Sequence, residues 1–160
     1  MAIPIHLTLI DNNGRKIKGS VDYLGREGTI EVLEYLHDVD LPVDDYTGKI
    51  SANRLHYPVA FEKEVDRSSV YLYQALTSGK RLQSAIFDFY RINDHGFEEK
   101  YFTTTLQHVY VASLNALMPD IKAPDAIKYN HSEYVELAYQ QISWCYCDGN
   151  IQHTDSWNKR

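Results

Sequence analysis

The chain has 160 residues, of which 44% are apolar and 24% charged, and its net charge is −6. This length and balance are those of one folded globular domain with its own core rather than of a disordered chain. The acidic charge and the lack of any basic run argue against a nucleic-acid surface, and no apolar run approaches the roughly 20 residues that span a membrane.

The first predicted element is a strand at the N-terminus. Alternate apolar residues from Ile3 to Leu9 share one face and His6 falls on the other, which is the period of a half-buried strand. The 13 tyrosines lie in stretches rich in Val, Ile, Phe and Thr, a mixture that favours strands. Further strands are predicted at residues 16–21, 29–37, 54–62, 81–92, 99–117 and 133–147.

One segment, SSVYLYQALTSG, predicts a short helix over about residues 69–78. Ser69 is its expected N-cap, and Gly79 follows its last residue. A helix this short must pack on the sheet to be stable. The pattern as a whole predicts a mainly β fold, a closed or nearly closed β-barrel of two packed sheets with this one flanking helix and long extended loops. The residues expected on the buried face of the helix are Leu72, Ala75 and Leu76.

Two loops, residues 38–53 and 118–132, are longer than such a fold requires. Long loops without structure of their own are usually functional or disordered. The first loop carries Leu41, Val43 and Tyr46 among its acids, which makes it too apolar for a solvated tether. We therefore expect it to dock onto another surface.

The last predicted strand contains both cysteines, Cys145 and Cys147. The apolar residues before and after Gln140–Gln141 have opposite parity, which predicts a β-bulge there and places the two cysteines on the face opposite the apolar row. Their spacing is neither that of a zinc site nor suited to a disulfide. We interpret the segment as a strand that carries structural or incidental thiols, with CDGN as a hairpin turn.

No motif in the chain predicts catalysis. The tail HTDS, from His153 to Ser156, has the letters of a triad, but triads form in space rather than from consecutive residues. The seven histidines are scattered, and the adjacent Asp44 and Asp45 are most simply a solvated loop, with a cation site as the alternative. The sequence therefore predicts no enzyme, no catalytic residue, no metal site and no cofactor.

Five stretches resemble one known family, and together they cover nearly the whole chain. Their order and spacing along the full length make the resemblance specific, because each strand pattern alone is common. The family is the haemolysin-coregulated proteins (Hcp) of the bacterial type VI secretion system. The stretches are MAIPIHLTLIDNNGRKIKGS (1–20), REGTIEVLEYLHDV (26–39), FEKEVDRSSVYLYQALTSGK (61–80, with an Asp-x-x-Ser cap before the helix), FDFYRINDHGFEEKYFTTTLQHVYV (87–111) and VELAYQQISWCYCDGNIQHTDSW (135–157).

The resemblance implies a single Hcp-like β-barrel domain over residues 1–160 that assembles with itself into a homohexameric ring. It further implies that rings stack into a hollow tube inside a contractile sheath, with a spike protein at the tip and effector cargo in the lumen. Such a protein is assembled in the cytoplasm and then secreted when the sheath contracts. The N-terminal residues agree with that route, because Pro4 and His6 interrupt their apolar stretch and no basic region or cleavage site makes them a Sec signal.

Ring stacking needs a second interface, beyond the one that closes the ring, and this interface leaves the assembly open. Our hypothesis places it on the long apolar and acidic loop, on a predicted turn and on the C-terminal tail; solvated loop tips are the alternative. The residues are Asp45, Tyr46, Thr47, Gly48, Lys49, His95, Gly96, Ser156 and Trp157.

Two other functions stay open from the residues alone. A β-sandwich module that binds carbohydrate would use the many tyrosines and the two tryptophans as exposed groove residues. Most tyrosines, however, fall on alternating strand positions and are typical of a core or an interface. A small hydrolase would need a nucleophile and a base brought together by the fold, and the sequence favours no such pair.

Overall fold

The computed structural model describes residues 3–159, and within them the protein is mainly β with one α-helix and one short 3₁₀ turn, residues Ala126–Lys128. No helix in this part of the chain is long and apolar enough to cross a membrane. The elements are β1 (Ile5–Ile10), β2 (Lys16–Ile17), β3 (Ile30–Val32), β4 (Glu34–Leu36), β5 (Val39–Asp40), β6 (Leu55–His56), β7 (Val59–Glu64), α1 (Arg67–Ser78), β8 (Leu82–Ile92), β9 (Glu98–Leu117), β10 (Ser132–Tyr146) and β11 (Ile151–Ser156).

One large antiparallel sheet has the strand order β2-β1-β8-β9-β10-β7-β4, with β3 added on β1 and β11 on β10. The segment 30–36 reaches both sides of this order, because β3 pairs with β1 whereas β4 pairs with β7. The path of hydrogen-bonded strands is open, with β2 and β4 at its ends. The mainly β prediction with one helix is confirmed, whereas the closed barrel is not.

Strand β1 shows how the alternating pattern builds the core. Leu7 and Leu9 are fully buried, as the period predicts. His6 is also buried, although it lies on the opposite face, because Arg26 and Thr29 cover it. Its Nδ1 lies 3.0 Å from Thr29 Oγ1, and its Nε2 lies 3.3 Å from the Arg26 guanidinium. Burial lowers the pKa of His6, and the Arg26 charge lowers it further.

Helix α1 begins earlier than the sequence predicts. Its N-cap is Asp66 and not Ser69: the Asp66 carboxylate accepts from the N–H of Ser68 at 2.8 Å, and Ser69 Oγ accepts from the N–H of Asp66 at 3.0 Å. This reciprocal capping box satisfies two free N–H groups, and a carboxylate there also suits the helix dipole. The predicted C-terminus is confirmed, since Gly79 follows the helix with a φ of 65°. The predicted buried face is confirmed: Leu72 and Ala75 are buried, and Leu76 packs against the core while partly exposed.

A buried ion pair joins β7 and β10 next to the start of α1. Lys63 and Glu133 lie directly opposite each other in the two strands, with Nζ and Oε1 2.6 Å apart and neither side chain exposed. Lys63 also donates to Ser69 Oγ at 3.0 Å, and that hydroxyl donates to Glu133 Oε1 at 2.7 Å. Asp66, 3.2 Å from Lys63 Nζ, completes the cluster, which ties the N-terminus of the helix to the sheet.

The predicted change of parity in β10 is confirmed. Tyr139 and Ile142 are both buried, so the core side of the strand switches between them. The predicted bulge position is wrong: the register with β9 shifts between Glu136 and Leu137 and is unbroken past Gln140–Gln141. Around Gln140, the edge of β10 that does not face β9 changes its partner from β7 to β11. In the facing part of β9, His108 has a φ of 54°.

The sequence predicts the CDGN turn but no strand after it. In the structure, strand β11 follows this turn and pairs with β10. In this turn the N–H of Asn150 donates to the carbonyl of Cys147 at 3.2 Å. Cys147 therefore lies just past β10, which ends at Tyr146, whereas the sequence predicts it within the strand. Cys145 remains in the strand, and both cysteines are half-buried free thiols.

Candidate functional site

The long loop of residues 38–53 is an ordered hairpin, which we call the arm. Strands β5 and β6 pair at its base through Val39 and His56, and an isolated bridge joins Val43 and Ile50 further out. Most of its side chains are exposed, and Tyr46, at its tip, is 100% exposed. An exposed aromatic on an ordered hairpin is typical of a contact surface rather than of a solvated tether.

The tip of the arm is held in one conformation by Asp44. Its Oδ1 accepts from the N–H groups of Tyr46 at 2.9 Å and Thr47 at 2.8 Å, and from the Thr47 hydroxyl at 3.1 Å. The hydrogen bonds from Thr47 and then from Tyr46 lower the pKa of the Asp44 carboxyl. Gly48 closes the turn with a φ of 68°, and its N–H donates to the Asp44 carbonyl at 2.8 Å. The tip is thus ordered before any partner binds, which reduces the entropy cost of docking.

A chain of polar side chains fixes the base of the arm to the sheet. His37 Nε2 and His56 Nδ1 lie 2.8 and 2.9 Å from the hydroxyl of Tyr139. His56 Nε2 in turn lies 2.8 Å from Asp155 Oδ2, and Arg54 binds the same carboxylate through two nitrogens. All groups are satisfied when His56 donates to Asp155 and accepts from Tyr139, whose oxygen accepts from His37.

Trp157 covers this polar chain. Its ring stacks on His56 with centroids 5.9 Å apart and meets Tyr139 edge-on at 5.0 Å. The carbonyl of Ser156 accepts from the Arg54 guanidinium at 3.2 Å. The C-terminal tail and both ends of the arm therefore form one packed unit, which we call the arm base.

The structure divides the predicted stacking residues among three places. The five at the tip, residues 45–49, are exposed; Ser156 and Trp157 are half-buried in the arm base. His95 and Gly96 lie in a separate exposed turn between β8 and β9, whose Asn93 carboxamide accepts from the N–H of His95 at 2.9 Å. The fold therefore unites the tail with the base of the arm and leaves the turn apart. Their role in stacking stays a prediction.

Sequence reasoning missed the groups that anchor the arm. Tyr139 is 102 residues from His37 and 83 from His56, and no local pattern reports contacts at such separations. The one available signal was the HTDS tail, in which Asp155 does bind a histidine, although His56 rather than its neighbour His153. The groups of the anchor are His37, Arg54, His56, Tyr139 and Asp155.

A family model described as "Type VI secretion system effector, Hcp" matches residues 7–146. The "Major exported protein" of Pseudomonas aeruginosa strain PAO1 is 31% identical over 133 residues, which are 83% of this chain and 77% of that protein. The chain belongs to the Hcp family. The fold of the Hcp1 protein from the E. coli EAEC 042 pathovar, solved as a variant with two tryptophan substitutions, matches with 48% identity and a TM-score of 0.87, over 98% of this chain and 99% of that one. The secreted protein Hcp3 from P. aeruginosa shares the fold at 24% identity, with a TM-score of 0.80 over 98% of this chain and 99% of that one.

Membership of the Hcp family confirms the predicted function, a subunit of the type VI secretion tube, and does not favour the carbohydrate-binding alternative. The Hcp family is one of structural, secreted proteins. His56 and Asp155 are arranged like a catalytic base and the carboxylate that orients it. The third group of this arrangement is the Tyr139 hydroxyl, and burial raises the pKa of Tyr139. That shift is opposite to the one that activates a nucleophile. Within residues 3–159 no group of three or more His, Cys, Asp or Glu side chains is placed to hold a metal ion.

The arm base of this Hcp protein is expected to loosen at mildly acidic pH. Burial lowers the pKa of His37 below its ordinary 6.5; a charge on His56 lowers it further, and Asp38 opposes this. Because the folded state favours neutral His37, this contribution to stability is complete above about pH 6.5 and is lost as pH falls below it. Hydrogen exchange at the base of the arm, corrected for the intrinsic rate, should therefore lose protection from about pH 6.5 downward.

Two variants make that measurement specific. His37→Gln should remove the pH dependence at the arm base, whereas His95→Gln, in the exposed turn, should leave it as in the parent. Protection that stayed constant in the parent down to about pH 5 would contradict the assigned role of His37.

Proposed function

We propose that the chain forms homohexameric rings that stack into a hollow tube, and that the arm makes contacts between rings. The observation that carries the proposal is the arm itself, an ordered hairpin whose tip residue Tyr46 is 100% exposed. A monomeric protein gains nothing from holding an aromatic side chain in water on a preformed turn. A subunit that must bind its neighbours gains a contact that costs little ordering entropy.

Two interfaces are required. One is heterologous and closes into the ring, and the other repeats along the axis without closing, which builds an open tube. We assign the second interface to the tip residues, to the β8–β9 turn and to the tail. These are Asp45, Tyr46, Thr47, Gly48, Lys49, His95, Gly96, Ser156 and Trp157.

The same proposal covers the partners and the route. The tube is assembled in the cytoplasm inside contractile sheath proteins, meets a spike protein at its tip, carries effector cargo in its lumen and is then secreted. Within it the subunit has no catalytic role. We also propose that residues 1–160 act as a single domain. The segment 30–36 pairs with both β1 and β7, and we propose that it brings the two sides of the open sheet together into a barrel.

The arm assignment is tested by replacing residues 45–49 with Gly and Ser. The variant should form hexamers of normal mass on a sizing column with light scattering, but it should give no tubes in negative stain under conditions in which the parent does. The matched control replaces five exposed residues of the other long loop, 120–124, and should form tubes. If the arm variant forms tubes as the parent does, the arm does not join rings.

A further inference from the structure

The arm carries an excess of negative charge that its own subunit does not neutralise. Among residues 38–53 there are four aspartates and one lysine. No salt bridge joins any of these aspartates to a basic side chain within residues 3–159. Apolar side chains alternate with these acids, and they too are exposed: Leu41 by 52%, Val43 by 54% and Ile50 by 65%. The arm is therefore an acidic and apolar surface whose aspartates are not paired with any basic side chain of residues 3–159.

A groove of the opposite character lies between the β1–β2 turn and the C-terminal half of α1. Its volume is about 460 Å³. Its floor is apolar, formed by Ile17, Ala75 and Leu82, and the half-exposed ring of Tyr71 stands at its wall. The basic side chains that line it are Arg15, Lys16, Lys80 and Arg81, all exposed.

The charges of this groove are as free as those of the arm. Arg15, Lys80 and Arg81 form no salt bridge in the described part of the chain. The one acid at the rim, Asp11, is occupied by its own turn, where it accepts from the N–H groups of Asn13 at 2.9 Å and of Arg15 at 2.8 Å.

The basic character continues beyond the groove. Lys16 also lines a second depression of about 330 Å³, to which Lys18 and Arg67 contribute, although Asp22 and Glu27 lie there too. Six of the 16 basic residues thus line two depressions that have Lys16 in common, in a protein whose net charge is −6. Such a concentration of basic side chains is what a surface for an acidic partner requires.

We propose that the arm of one subunit docks in this basic groove of a neighbouring subunit, with Tyr46 over the apolar floor and Asp40 and Asp45 facing Arg15, Lys80 and Arg81. In the described structure the arm base fixes the arm against β10 and β11. No hydrogen bond or salt bridge among residues 3–159 joins the arm to the groove of its own subunit. Docking of unlike surfaces joins copies head to tail, and such a contact builds an open assembly along an axis when its rotation does not close into a ring. The inference rests on the proposed stacking function of the arm and names its receptor.

The test reverses the charge of the groove. Arg15→Glu/Arg81→Glu changes two exposed side chains that make no salt bridge, so rings should form with normal mass. The protein concentration needed for tubes should rise roughly tenfold or more. Lys122→Glu/Lys128→Glu, which makes the same charge change in the exposed loop 118–132, is the control and should leave that concentration unchanged.

A rescue variant and a chemical cross-link make the result specific. Asp40→Lys/Asp45→Lys on the arm should also block tubes, and combining it with the reversed groove should restore them.

In parent tubes, but not in isolated rings, a carbodiimide should join arm carboxylates to Lys80 or Lys16 of another subunit. This experiment uses the parent protein, so it does not depend on a variant that folds. Cross-links from the arm only to other lysines, or tubes unchanged by the groove reversal, would overturn the inference and leave the groove to a different acidic partner. If the arm replacement still blocks tubes in that case, the proposed function stands and only the receptor is wrong.

Discussion

Replacing Lys63 by methionine is expected to lower the free energy of unfolding by about 3–5 kcal/mol. Lys63 and Glu133 are both fully buried, and their charged atoms lie 2.6 Å apart. Removing the lysine leaves the Glu133 carboxylate in the interior without a counter-charge, and its Oε2 already has no hydrogen-bond partner in the described structure. Urea unfolding followed by circular dichroism measures the loss, provided that the transition stays two-state.

The double variant Lys63→Met/Glu133→Leu is the control for that prediction. Removing both charges at once abolishes the unpaired carboxylate, so the double variant should be more stable than Lys63→Met alone. If the two variants were equally destabilised, the loss would come from packing around the lysine stem rather than from an uncompensated charge.

Replacing Phe87 by alanine is expected to cost about 3–5 kcal/mol of unfolding free energy, because it opens a cavity in the centre of the core. The Phe87 ring is fully buried and meets the rings of Tyr35 and Phe61 edge-on, with centroids 5.1 and 5.4 Å away. Such aromatic contacts add to the burial of apolar area. Thermal and urea unfolding of the purified ring would measure the change, at a fixed protein concentration because assembly stabilises the subunit.

Phe97→Ala offers a matched comparison with the same change of side chain. Phe97 lies in the β8–β9 turn and is 71% exposed, so its replacement should shift the unfolding free energy by less than about 0.5 kcal/mol. Equal losses for the two variants would contradict the position of the core given by the structure.

The features that the sequence predicted well are those with a local cause. The alternation that buries Leu7 and Leu9 follows from the two-residue period of a strand, and the end of α1 follows from the left-handed conformation that Gly79 adopts. The change of parity between Tyr139 and Ile142 was visible for the same reason. Each of these three features is determined by residues that are close together in the sequence.

The start of α1 and the position of the β-bulge were both predicted wrongly. For the helix, neighbouring residues offered equal local signals. Asp66 and Ser69 can both cap a helix, and the choice falls on Asp66 because Ser69 can then bind its N–H from the third position of the helix. The bulge position depends on the partner strand: β9 carries the extra residue, and β10 alone could not reveal it.

The arm base and the buried ion pair could not be predicted from the sequence, because both depend on contacts between distant segments. Lys63 continues the alternation of Val59 and Phe61 on the buried side of β7, a position where a lysine is normally a sign of exposure. Only the opposite residue in β10, Glu133, makes its burial possible. Strand β11 is likewise formed by pairing, since the segment IQHTDS has weak apolar alternation of its own.

The proposed role of the arm connects these features to function. Its tip is preformed by Asp44, its base is fixed by Tyr139 and Asp155, and its exposed acids and apolar side chains match a basic groove on another part of the surface. A contact of this kind, between exposed charged surfaces, is weak singly and weakens with salt. Repeated around a ring, it would hold a tube that assembles and comes apart as a unit.

The central claim is tested most directly by the mass and shape of the purified protein. Light scattering on a sizing column, followed by negative-stain imaging of the peak, should give a mass of about six times 18.5 kDa and ring-shaped particles with an open centre. A monomer near 18.5 kDa that stayed monomeric when concentrated would contradict the account.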